Sequence, residues 1–137
     1  LAHTAEQRRI LESTAGRPSF GEIIDKMTIL EIKVEQLSGT AQAYASHELS
    51  LLRQVLSSAG IAMDPTLEEQ LKSANRRLWT IEDDIRDHER RKDFGPSFIE
   101  LARSVYFTND ERAAIKRQIN ELYGSAIVEV KSYSDYT

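Results

Sequence analysis

The sequence predicts an all-α fold, an antiparallel bundle of four or five helices with a short extended C-terminal tail. Apolar residues recur at alternating steps of three and four over most of the chain. Capping signals open those runs, and Gly or Pro stands near where each run stops.

Thr4 and Gln7 form a capping box opening a short helix that Gly16 and Pro18 close. Its apolar face is little more than Ile10 and Leu11, so residues 1–18 read as an arm that docks on the rest of the chain or on a second copy. Ser19 and Glu22 form the next capping box. Phe20, Ile23, Met27, Leu30, Val34 and Leu37 follow as a seam that stops at Gly39. Ile29 and Ile32 lie off that seam, which places this helix between two layers or across an oligomer interface. Thr40 starts another helix, with Tyr44, Leu51, Leu52, Val55 and Leu56 facing inward and Gly60 as its stop.

Asp64 and Pro65 supply the N-cap and first turn of a long helix carrying Leu67, Leu71, Ala74, Leu78, Ile81 and Ile85 in register. Its basic end, Arg90-Arg91-Lys92, suits the negative C-terminus of a helix. Asp93-Phe94-Gly95-Pro96 forces a turn. Ser97 and Glu100 cap the next helix, whose seam runs through Phe98, Leu101, Val105, Ile119 and Leu122 to Gly124. Thr108 and Glu111 offer a break in it, while the continuous phase favours one helix. Ala126 to Val130 has strand-like composition. Neither repeats nor a linker divide the chain, so residues 19–124 read as the bundle core of a single domain, between the arm and a tail over 125–137.

At 137 residues the chain is long enough to bury a core. A net charge of −4 argues against a nucleic-acid or anionic-membrane partner, because both require a basic surface. The absence of cysteine removes disulfides, thiolate metal sites and thiol catalysis. His3, His47 and His88 share no metal-ligand spacing. No apolar stretch approaches the length of a membrane span. With no secretion leader read at Leu1, a cytoplasmic protein is expected.

The unusual feature is polar. Glu31, Asn75, Glu82, Glu89, Asn109, Arg112 and Lys116 fall on or beside the apolar seams, where an unpaired charge is strongly disfavoured. Three readings stay open: a mutually satisfied buried network, a pocket inside the bundle, or partly exposed edges. In the pocket reading Glu31, Glu82 and Glu89 are the acid, base or metal ligands. Arg103, Arg112 and Lys116 then hold an anionic small molecule that Asn109 orients. Glu22 and Asp25, three apart on one helical face, join Glu31 and Glu82 as candidate ligands for a cation whose identity stays open. A homodimer is expected from Ile29, Ile32 and the thin arm.

The segments GEIIDKMTILEIK (21–33), LWTIED (78–83), ELARSVY (100–106), TNDER (108–112) and VKSY (130–133) resemble an uncharacterised bacterial family of small proteins. The resemblance covers residues 19–133 and implies no activity. Two enzyme classes are similar more distantly. Glu22-x-x-Asp25 resembles the ExxD element of the all-α, magnesium-dependent nucleoside triphosphate pyrophosphohydrolases, but Lys72 stands where their second acidic element needs an acid after Glu68-Glu69. Ile24-Asp25-Lys26 to Leu30 resembles the opening of helical chorismate mutases, which bind a dianion through Arg and Lys. The leading expectation is a binding or interaction module of unknown function, with the two enzyme classes as alternatives.

Overall fold

The computed structural model describes residues 19–123. Among them four α-helices are formed and no strand: α1 (Phe20–Gln36), α2 (Gly39–Ser58), α3 (Pro65–Arg91) and α4 (Pro96–Tyr123). The expected arm helix from Thr4 and the strand-like Ala126–Val130 lie outside the described residues.

Side-chain capping sets two of the four helix starts, those of α1 and α3. The Ser19 hydroxyl accepts from the Glu22 amide at 3.2 Å, and one Asp64 carboxylate oxygen accepts from the amides of Thr66 and Leu67, each at 2.9 Å. The long helix has 27 residues and ends where Lys92 turns left-handed at φ 55°. Gly39 opens α2 rather than following a seam that runs to Leu37, because α1 already stops at Gln36. α4 opens at Pro96, without needing Ser97 as its cap, and it is continuous through Thr108, which is buried. Two residues expected in the core are on the surface: Tyr44 is 72% exposed and Leu122 57%.

The core joins α1 residues Ile23, Ile24, Met27 and Leu30 to Leu49, Leu52 and Leu56 of α2, Leu71 and Ala74 of α3, and Ile115 and Ile119 of α4. α1 packs against each of the other three helices. That position explains the second apolar side of α1: Ile32 is 1% exposed within the chain itself, so the layered reading holds for it. α3 and α4 pack along each other, with Arg77 paired to Glu111 near one level and His88 beside Phe98 near another.

α1 meets this pair over a short stretch, its polar contacts reaching 72–76 on α3 and 112–120 on α4. Beyond that crossing burial thins out. Between Trp79 and Phe107, His88 is the one buried residue. Its Nδ1 lies 3.0 Å from the Asp93 carbonyl oxygen, closing the turn. Residues 79–91 alone extend α3 by roughly 20 Å at the rise of an α-helix. Four large apolar side chains, Phe94, Ile99, Tyr106 and Phe107, are exposed on this distal part.

Candidate functional site

Where α1 crosses α3 and α4, a polar cluster replaces apolar packing. Glu22, Asp25 and Thr28 lie on one side of α1 by their spacing of three. α3 contributes Asn75, and α4 contributes Asn109, Arg112, Lys116 and Asn120, a stripe at steps of three and four. Asp25 is the hub. Its Oδ1 accepts from the Asn75 amide at 2.8 Å, and its Oδ2 accepts from the Arg112 guanidinium at 2.6 Å. The same Asn75 nitrogen donates to the Thr28 hydroxyl at 2.8 Å, and Thr28 donates to the Asp25 carbonyl oxygen at 2.8 Å. Arg112 is steadied by donating to Asn109 Oδ1 at 2.8 Å. Lys116 pairs with Glu22 at 2.9 Å and lies 4.0 Å from Asp25. Two acids thus meet two bases, and the pairing offsets part of the cost of taking Asp25, Arg112 and Lys116 out of water.

The backbone approaches closely at the edge of this cluster. The Gly21 amide donates to Asn120 Oδ1 at 2.7 Å, and a Cβ on Gly21 would sit 2.7 Å from the Lys116 carbonyl oxygen. Glycine is required here by space, not by its own torsion angles. Arg112 Nε and Asn120 Nδ2 are buried and have no hydrogen-bond partner among the described residues.

A second charged group lies further along α1. Glu31 accepts from Lys72 at 3.4 Å, with Arg53 at 3.7 Å. Lys72 also pairs with Glu35 at 3.1 Å, and Arg76 reaches Glu35 at 2.9 Å. Burial works against the Lys72 charge, but the Glu35 hydrogen bond and the Glu31 and Glu35 charges outweigh it and raise its pKa. Hydrogen bonds from Arg76 and then Lys72 hold the Glu35 carboxyl below its ordinary range. Glu68 moves the other way, pushed up by burial and then by the charge of Glu31. Glu31, Glu35, Ser50, Arg53 and Lys72 line an open cleft of about 600 Å³.

The expected site residues therefore divide. Asn109, Arg112 and Lys116 come together with Glu22 and Asp25. Glu31 belongs to the neighbouring group around Lys72. Glu82, Glu89 and Arg103 join neither; the expectation that Glu82 and Glu89 lie on or beside the helix seams is corrected, and the three side chains are 56%, 59% and 52% exposed. Glu82 pairs locally with Arg86, Glu89 with Lys92 and Arg103 with Glu100. The reason is geometric. Glu82 and Glu89 continue the stripe of Leu71 and Leu78, but α1 covers that stripe only at the crossing, and further out it faces water. Thr28, Gly21 and Asn120 were missed, although Asn120 continues the 109–112–116 spacing and Thr28 stands three residues after Asp25. Among the described residues no group of three or more His, Asp or Glu is placed to hold a metal ion.

Residues 17–136 match DUF6165, a family of unknown function. The chain belongs to this family. No curated protein and no solved structure matches the chain. The family match takes in the crossing and the distal parts of α3 and α4, and it assigns no chemistry to either. No described helix is long and apolar enough to cross a membrane.

Proposed function

We propose that this member of the family is a bacterial, cytoplasmic interaction module: a single domain in which the helices form an antiparallel bundle and the polar crossing locks their arrangement. The distal part of α3 and α4 is then the docking element. The observation that carries this reading is the occupancy of Asp25. Both of its oxygens are already engaged, one by Asn75 and one by Arg112, which leaves the carboxylate poorly placed to ligate a metal or act as a base. The Glu22–Asp25 pair faces Lys116 and Arg112 across the crossing. A magnesium-dependent pyrophosphohydrolase needs a second acidic pair at that place.

Thermal unfolding with and without magnesium or manganese and a nucleoside triphosphate mixture tests this. A ligand at about 100 times its dissociation constant adds roughly 2.7 kcal/mol, a shift of several degrees. The expected result is no shift. A shift of that size that disappears in Asp25→Asn returns the site to the enzyme reading.

A further inference from the structure

The outward side of α4 carries a second periodicity. Ile99, Arg103, Tyr106, Asp110, Ala113 and Arg117 recur at alternating steps of four and three, so they form one stripe. It is separate from the stripe of Arg112, Lys116 and Asn120 that meets α1. Ile99 is 53% exposed, Tyr106 40% and Phe107, beside the stripe, 47%. Single exposed apolar residues are ordinary, but Ile99 and Tyr106 on the stripe and Phe107 beside it gather three large ones on one side of the helix, which suits a contact surface. The aromatic part is already ordered within the chain: the Tyr106 and Phe107 rings lie 5.1 Å apart, and the Arg103 guanidinium lies 5.9 Å from the Phe107 ring centre.

We infer that this stripe pairs with the same stripe of a second copy of the chain, the two α4 helices running in opposite directions across a two-fold axis between Tyr106 and Phe107. The inference rests on the interaction-module reading and names its partner. The charges select the occupant. In that register Arg103 of each copy stands opposite Asp110 of the partner subunit, so one complementary pair occurs twice. Tyr106 meets Phe107 of the partner subunit, and Ile99 meets the small Ala114 of the partner subunit. Helices running in the same direction would set Arg103 against Arg103 and Asp110 against Asp110, which like-charge repulsion disfavours. One helix face per copy is a small interface, so the dimer is weak and reversible.

Sedimentation equilibrium on the full chain tests the surface and the register together. The wild type should show reversible dimerisation. Arg103→Glu and Asp110→Arg should each raise the dissociation constant at least about tenfold. Circular dichroism should show unchanged helicity, since neither residue belongs to the buried cluster. Mixing the two variants should restore association, because both contacts become complementary in the heterodimer. A wild type that sediments as one chain throughout, variants that dimerise like it, or a mixture no tighter than either variant alone overturns the inference. A monomeric wild type leaves the interaction module standing with a different partner, whereas the metal–nucleotide shift is what removes that broader reading.

Discussion

Asp25 shows how a single carboxylate fixes the relative placement of three helices. It stands on α1 and takes hydrogen bonds from Asn75 on α3 and Arg112 on α4. Apolar contacts tolerate sliding by a fraction of a turn, but a pair of directional bonds of this kind does not. Asp25→Ala should therefore destabilise the chain by about 2–4 kcal/mol, because the Arg112 charge loses its main partner in a half-buried setting. Denaturant unfolding measures this, and the Asp25→Ala, Arg112→Leu double variant should recover part of the loss. Additive losses would show that the pair is not coupled. Glu68 offers a contrast of opposite sign. Burial, then the Glu31 charge, raise its pKa, so its ionised form costs stability that is present at acid pH and is lost as pH rises through the raised value. Glu68→Gln should thus melt higher than the wild type at neutral pH, and the gap should close as the pH falls below the carboxylate range.

At the level of helices, the starts of α1 and α3 and the length of α3 were legible in the sequence, because capping residues and seam periodicity are local signals. The exposure of Glu82 and Glu89 was not legible. Periodicity identifies which side of a helix continues a seam, but it does not say how far along that side a neighbour extends. α1 has 17 residues against 27 in α3 and 28 in α4, and it crosses the pair rather than running its length. The polar residues under the crossing are therefore paired, and those beyond it face water. Asn109, Arg112 and Lys116 were identified from their stripe, whereas Gly21 was missed because close backbone approach leaves no periodic trace. One terminus also carries local strain. Lys92 ends α3 at φ 55°, a conformation that favours glycine. Lys92→Gly should stabilise the chain by about 0.5–1 kcal/mol even though its surface pair with Glu89 is lost, since such pairs contribute little. An unchanged or lowered melting temperature would count against strain at this turn.

For the molecule as a whole, the cluster and the distal helices divide the work. The crossing holds its charges paired inside, and the distal part of α3 and α4 presents charged and aromatic side chains outside. Its exposed ion pairs, Arg86 with Asp83 and Arg103 with Glu100 among them, are weak individually and weaken further with salt. Self-association through α4 should likewise fall as ionic strength rises, because the pairing of Arg103 with Asp110 of the partner subunit is screened in the same way, while the melting of the crossing changes much less.

The same crossing governs when the chain is able to finish folding during synthesis. The bonds from Gly21 to Asn120, Glu22 to Lys116 and Asp25 to Arg112 span 99, 94 and 87 positions. The first described helix consequently leaves the ribosome with two of its carboxylates waiting for partners on the last one, and loop closure over that distance is entropically costly. α3 and α4 are joined by a short turn and meet early. A nascent chain stopped before Arg112 holds most of its helical sequence and still lacks all three of these contacts.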